Sequence, residues 1–378
     1  MAKPERVVAI LFLFFLLWIV VGTHIVNAAM AQTSGLASAS NDRPLAPSRI
    51  ACPKADELSA VAVTSAVGRK DSTEQNEIRL RQEITVQVQH LDALWAEARC
   101  TSPEKKIILF LDGRPITNVS PDPPTDPKSK QLIFPLRRDE KSRDAWTNIL
   151  GYPQWEAREI SVSVGFEGQH PLPSTATTRL AAIPHGWFAL WSGVFLFLVI
   201  LFFWIALGSD VLRITGADPV VGLENGQTMR VRKMYSLSRV QAAWWFFLIL
   251  ASYLFIGLIT GDYSSTITGT VLVLAGISAG TTLASVVIDA GDQAVATKAG
   301  APISPPPTTG SWLKDVLSDA NGVSFHRFQM AVWTFVLGII FMLTVYRELA
   351  MPVFSETLLG LLGISAGTYL GMKIPEAK

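Results

Sequence analysis

Apolar residues fall into two patterns along the chain, and these divide it in two. In the C-terminal half, nearly unbroken apolar runs occupy residues 186–207, 240–259, 267–288, 328–345 and 354–372. Each is close to the length that carries a helix across a bilayer. Only a few residues around Gly261-Asp262-Tyr263 separate the second run from the third, and residues 347–353 separate the fourth from the fifth. Links that short predict two antiparallel helical hairpins. Trp187 and Trp191 stand at the outer end of the first run as interfacial anchors.

The region before residue 186 reads differently. Ile84, Val86 and Val88 alternate with Thr85 and Gln87, and Ile160, Val162, Val164 and Phe166 alternate with Ser161, Ser163 and Gly165. Period-two alternation predicts strands with one buried face. Ile107 to Leu111 is a continuous apolar run that ends in the turn dipeptide Asp112-Gly113. Residues 131–136 predict an edge strand, because Pro135 has no N–H for an interior ladder. Residues 144–150 predict one short helical stretch with Trp146 and Leu150 inward. Residues 121–127, dense in proline, predict a long solvated loop between strands. Short strands joined by turns predict a small β-sandwich over residues 81–185, immunoglobulin-like in its general architecture. Residues 32–80, rich in Ala, Ser and Pro at their start, predict a flexible lead-in and the beginning of that domain.

At the N-terminus, Lys3 and Arg6 precede the apolar run 7–22, and Ala29-Met30-Ala31 offers small residues at a cleavage position. Residues 1–31 are the layout of a secretory signal peptide, with an uncleaved anchor as the alternative. Both send the polar domain across the membrane. Basic residues give independent evidence of orientation. Segment 209–239 carries Arg213, Arg230, Arg232, Lys233 and Arg239, and segment 289–327 carries Lys298, Lys314 and Arg327. The tail, 373–378, carries Lys373 and Lys378, whereas the two hairpin tips hold only Arg347. The basic segments are therefore expected in the cytosol. The expectation is an inner-membrane protein with residues 32–185 in the periplasm and the C-terminus in the cytosol.

Composition sharpens this picture only modestly. The chain is 49% apolar with mean hydropathy +0.33, as a multi-pass protein requires. Its formal net charge of +1 offers nothing to nucleic acid, so the expected partners are the bilayer and either a second copy or another membrane protein. Cys52 and Cys100 both lie in the exported region, an oxidising compartment, and are candidates for a disulfide. In the linker, Pro302, Pro305, Pro306 and Pro307 precede a short amphipathic piece whose Trp312, Leu313, Val316 and Leu317 would lie at the membrane surface.

The two hairpins repeat one another. Ser236, Arg239, Gln241, Trp245 and Phe247 recur 88 residues later as Ser324, Arg327, Gln329, Trp333 and Phe335. Gly276-Ile-Ser278-Ala-Gly280-Thr281 recurs 87 residues later as Gly363-Ile-Ser365-Ala-Gly367-Thr368. Both hairpins enter from the same side, so the repeat is parallel, with its pseudo-axis along the membrane normal.

Gly-x-Ser-x-Gly is the pattern of a nucleophile elbow in soluble hydrolases and brings intramembrane serine proteases to mind. Here each copy lies inside an apolar span, and no span holds a histidine to act as base. The same residues also form a stripe of small side chains: Gly276, Ser278, Gly280 and Ala284 in one copy, Gly363, Ser365, Gly367 and Gly371 in the other. Such a stripe predicts a helix-packing seam, within the protomer or between protomers. Arg239, Gln241, Arg327 and Gln329 stand at the cytosolic ends of their spans, either as interfacial anchors or as a site for an anionic lipid headgroup. No charged residue lies in the middle of a span, which argues against a proton relay. No zinc-type, phosphate-loop or haem motif is present, so no cofactor is expected.

The blocks Ser-x-x-Arg-x-Gln-x-x-x-Trp-x-Phe and Gly-Ile-Ser-Ala-Gly-Thr resemble those of a family of uncharacterised bacterial inner-membrane proteins, over residues 209–378. The resemblance implies the tandem-hairpin architecture and no activity. The resulting expectation is a five-helix membrane bundle carrying an exported β-domain, acting as a non-enzymatic scaffold or envelope signal relay. The alternatives are an oligomeric channel or transporter component and, more remotely, an intramembrane serine hydrolase. In a background with both native cysteines replaced by serine, the topology predicts that Val353→Cys reacts with an impermeant maleimide in cells with an opened outer membrane. Thr309→Cys should react only once the inner membrane is permeabilised; the reverse pattern would invert the assignment.

Overall fold

The structure, a computed structural model, describes residues 52–53, 60–68, 77–100, 103–122, 130–222, 226–263, 266–298, 305–319 and 322–376. Residues 1–31, expected as a signal peptide or uncleaved anchor, and the start of the expected lead-in, 32–51, lie outside the described residues.

The polar half folds as two sheets around one core. β1 (Ala62–Gly68), β3 (Glu83–Gln89) and β6 (Gln131–Pro135) form an antiparallel sheet in the order β1-β3-β6. β2 (Glu77–Ile78), β4 (Ile107–Leu111), β5 (Arg114–Ile116), β7 (Arg158–Phe166) and β8 (Thr177–Leu180) form a second, in the order β2-β8-β7-β4-β5. Ile84, Val86, Leu132 and Phe134 of the first sheet share one buried cluster with Leu109, Leu111, Val162 and Val164 of the second. All five residues of β4 are buried, as its unbroken apolar run predicts. β6 is an edge strand, where Pro135 costs no ladder bond. Asp112 and Gly113 both adopt positive φ, 49° and 70°, as a two-residue turn between twisted strands requires. That turn sets Leu111 opposite Arg114.

Three features go beyond or depart from expectation. Within residues 32–80, where the domain's beginning is expected, β1 is a strand outside the expected set, and Val61, Val63 and Ala66 of its segment are core residues. A helix, α1 (Leu91–Cys100), buries Leu91, Leu94 and Ala98 at helical spacing. The β2–β8 pair is parallel, so the strand order does not establish an immunoglobulin-like arrangement. α2 (Arg143–Leu150) forms where predicted, with Trp146 and Leu150 buried and the indole N–H donating to the Arg137 carbonyl at 2.9 Å.

Among the described residues, five helices are long and apolar enough to cross a membrane. They are α3 (His185–Gly208), α4 (Leu237–Thr260), α5 (Gly269–Lys298), α7 (Phe325–Glu348) and α8 (Glu356–Glu376); α6 (Trp312–Leu317) is a short piece between the last two pairs. α4 and α7 each have 24 residues and start 88 apart, from 237 to 325. α5 and α8 start 87 apart, from 269 to 356. The four pack as a ring in which α4 touches α5 and α7, and α8 touches α5 and α7. The hairpins therefore lie side by side, with like helices adjacent. α3 packs on α4 and is otherwise almost wholly on the surface.

The helices outrun the apolar runs. α5 continues past Ile288 to Lys298, and α8 passes through Lys373 to Glu376. Lys373, expected in a cytosolic tail, is instead buried between these helices, 3.0 Å from the Asp289 carboxylate. The apolar residues of α6, expected on one interfacial side, divide between two faces. Val316 turns into a cluster with Leu237, Met330 and Tyr369, whereas Trp312 and Leu313 face outward.

Cys52 and Cys100 are joined in a disulfide, with their Cα atoms 5.2 Å apart. The bridge fastens the chain ahead of β1 to the end of α1, closing a separation of 48 residues. Limiting the unfolded chain in this way stabilises a domain by about 2–4 kcal/mol. Cys100→Ser in the full-length protein should therefore lower the denaturant midpoint of the β-domain transition, followed by near-ultraviolet circular dichroism. An unchanged midpoint would show that the bridge adds nothing to stability.

Candidate functional site at the junction of domain and bundle

The β-domain does not hang from α3 on a linker; it sits on the ends of the hairpins. A helix leaves its last carbonyls without intrahelical donors. α4 ends in Gly261, at φ 73°, and α7 ends 88 residues later in Leu349, at φ 47° and ψ 41°. Both caps take the left-handed conformation that commonly closes a helix, easy for glycine and costly for leucine.

Arginines of the β-domain meet each cap. The Arg138 guanidinium donates to the Leu349 carbonyl at 2.9 Å and to the Glu348 carbonyl at 3.3 Å. It also donates to the Thr147 hydroxyl at 2.9 Å, which in turn donates to the Glu348 carbonyl at 3.2 Å. A cation at the negative end of a helix dipole is favourably placed. Over the other cap, Arg81 Cδ occupies the place that a side chain on Gly261 would take. Gly261 is thus required twice, for its backbone conformation and for this close approach.

The contact is also apolar. Leu349, fully buried, and Ile259 belong to the core cluster of the β-domain, and Phe188 and Phe255 pack against it. Tyr152 lies edge-on to Tyr346, with ring centroids 5.8 Å apart, and the Arg347 guanidinium lies 6.0 Å from the Tyr152 ring. Burial, reinforced by the charge of Arg143, lowers the pKa of Arg138 from the usual guanidinium range to about 10, while Asp262 and Asp144 act to raise it. Arg138 is thus cationic at neutral pH. Next to it, burial would raise the Asp139 pKa, but hydrogen bonds from the Asn118 side chain and from Ser142 outweigh burial and lower it. Asp139 accepts from the Ser142 N–H at 2.8 Å and its hydroxyl at 2.7 Å, fixing the start of α2 and so the position of Thr147.

A cavity of about 640 Å³ lies at this junction. Arg138 and Arg143 border it from the β-domain, Asp262 from the first hairpin tip, and Glu348 from the end of α7. Its lower part is apolar, with Ile340 and Leu358 contributed by α7 and α8.

The residues singled out in the sequence lie elsewhere, and the structure separates them. Ser278, Thr281 and Ser365 turn into the bundle and are buried. Gly276, Gly280, Gly367 and Gly371 lie on the outside, and a Cβ on any of these, or on Gly363, would meet nothing within 4 Å. Ala284 is half-buried. The glycine stripe is therefore no seam within the protomer. Close approach occurs instead at Gly338, against the Trp244 indole, and at Gly257, whose missing side chain leaves room for the Tyr263 ring.

The polar residues at the opposite end of the bundle make contacts inside the protein. Gln241 is buried and donates to the Thr334 hydroxyl at 2.8 Å; Gln329 donates to the Ser365 hydroxyl at 3.3 Å. Arg327 is buried with its guanidinium 5.5 Å from the Tyr369 ring. Arg239 donates to the carbonyls of Asp210 and Val211, both at 3.3 Å, and to the Thr215 hydroxyl at 2.8 Å. The described residues of segment 209–239, expected as a cytosolic loop, pack on that end and include the antiparallel pair β9 (Val220–Gly222) and β10 (Thr228–Arg230). Among the described residues, neither Ser278 nor Ser365 bonds a histidine, and no cluster suited to a metal occurs.

No family model, curated protein or solved structure matches the chain.

Arg138→Ala leaves helix-end carbonyls without their charged donor, at a cost on the order of 1–3 kcal/mol. Its expected outcome is a lower melting temperature for the full-length protein in detergent. Arg138→Lys should recover only part of the loss, since an ammonium cannot reproduce the guanidinium fork. A melting temperature unchanged in Arg138→Ala would remove this contact from any account of the junction.

Proposed function

We propose that this protein is a non-enzymatic scaffold of a bacterial inner membrane that relays the state of its exported β-domain to a duplicated pair of helical hairpins. In this reading the β-domain and hairpin tips face the periplasm, and segment 209–236, α6 and the C-terminal end of α8 face the cytosol. The observation that carries it is the junction itself. Ile259 and Leu349, at the ends of equivalent helices, are core residues of the β-domain, so a displacement of that domain acts directly on α4 and α7.

The interior of the bundle supports a scaffold over a channel. Trp245, Phe341, Leu274 and Leu362 are at most 1% exposed and pack in one cluster between the helices, an apolar filling that favours the scaffold. A channel reading draws on the buried hydroxyls of Ser278, Thr281, Ser285 and Thr334, and of Ser252 and Thr260 towards the other end of α4. The outward glycine faces support assembly between copies, because small residues permit close contact between helices in a bilayer.

Open space beside the glycines makes the test unusually clean. Gly280→Leu and Gly367→Leu should leave the protomer's melting temperature unchanged while reducing disulfide or chemical crosslinking between copies. Gly338→Leu, which drives into Trp244, should instead destabilise the protomer by about 1–3 kcal/mol. Intact crosslinking in both outer-face variants would refute assembly through that face. Ion or solute flux into proteoliposomes above that of empty vesicles would favour the channel.

A further inference from the structure

We propose that the junction cavity holds the head of a zwitterionic phospholipid, with its phosphate towards Arg138 and Arg143 and a primary ammonium towards Glu348 and Asp262. Phosphatidylethanolamine has this chemistry. Two guanidinium groups and two carboxylates border a single space of about 640 Å³. That set matches a ligand carrying both signs of charge better than a purely anionic one. The side chains serve the two halves differently: Arg138, whose terminal nitrogens already bond Leu349, Glu348 and Thr147, contributes positive charge, the Arg143 guanidinium brings donors to phosphate, and a carboxylate accepts from an ammonium's three N–H bonds.

The cavity's position selects a lipid as the source of that head. Ile340, Thr344 and Glu348 follow one another at four-residue spacing along α7, and all three border the cavity. They form a stripe about 12 Å long, at 1.5 Å per residue, from apolar side chain through hydroxyl to carboxylate. Leu358 borders the same space from α8. Ile340 is 40% exposed and lies within an apolar helix that spans the bilayer by length and composition. The lower end of the stripe thus meets acyl chains while its upper end meets the polar domain. A lipid seated there touches the β-domain through the arginines and the bundle through α7 and α8.

Native mass spectrometry of the full-length protein, released from nanodiscs of equal phosphatidylethanolamine, phosphatidylglycerol and phosphatidylcholine, tests the assignment. Phosphatidylethanolamine should be retained at least threefold over the other two. Glu348→Gln keeps the backbone carbonyl that Arg138 binds and changes only an exposed side chain, so the fold is retained. This variant should lose the preference for phosphatidylethanolamine while holding phosphatidylglycerol as before. Arg143→Gln should lower retention of both. Equal retention of the three lipids by the native protein, or an undiminished preference in Glu348→Gln, would overturn the proposal. Neither result bears on crosslinking or flux, so the scaffold reading stands or falls separately.

Discussion

The attachment of Arg138 to the end of α7 is the contact on which the rest of the architecture depends. The carbonyls of Glu348 and Leu349 have no donor within their own helix, and the leucine holds a backbone conformation that glycine would adopt more readily. Leu349 pays for that conformation by filling the β-domain core, while Arg138 supplies the missing donors. Each element makes the other tolerable. Without the domain, an apolar side chain and two carbonyls would face water at the membrane surface; without α7, a partly buried guanidinium would lose its acceptors. A buried cation is retained where its hydrogen bonds are satisfied, and removing one side exposes the full desolvation cost on the other.

The same constraint makes two similar hairpins unequal. Their first helices match in length and offset, and their caps fall at equivalent positions. A single domain cannot present the same surface twice, however. Arg81 lies flat over Gly261, where a side chain is absent, whereas Arg138 reaches carbonyls beside Leu349, where one is buried. The polar ties follow suit: Gln241 bridges to Thr334 on the neighbouring first helix, but Gln329 bridges to Ser365 within its own hairpin. Identical letters at an offset of 88 thus acquire different neighbours because the ring places like helices side by side.

Much of this was legible in the sequence wherever polarity changes along the chain. Alternation in β3 and β7, the apolar run of β4 and the Asp112-Gly113 turn each state their environment through contrast with adjacent residues. The five long helices announce themselves by length. What sequence could not supply was phase. In a helix that is apolar all round, the side facing protein looks like the side facing lipid, so Gly276 and Gly280 suggested a seam although they point outward. The readable clue was the hydroxyl spacing of Ser278, Thr281 and Ser285, because lipid offers no partner for polar groups. Lys373 was misplaced for a related reason: as a terminal charge it reads as a solvated tail, and only the fold brings Asp289 to it. β1, built from small residues, has too little contrast to signal a strand.

The location of charge also separates the two ends of the bundle mechanistically. At the end covered by segment 209–236, Lys373 pairs with Asp289, and Lys233 pairs with Asp210 at 2.8 Å. Ser238 meets Ser285 at 2.8 Å, so this end is stitched by local contacts on every side. At the other end, charge is gathered around one open cavity, and the helices are tied both to the β-domain and to one another, through the Thr268 and Thr270 hydroxyls on the Pro352 carbonyl. A displacement of the domain therefore works against a bundle that is fixed at its far end and loaded at its near one. The filled cluster of Trp245, Phe341, Leu274 and Leu362 lies between, and close-packed interiors transmit strain instead of absorbing it. Motion of the domain would accordingly emerge as tilting of whole helices, altering the spacing of the outward glycine faces. That is the behaviour the proposed relay would need.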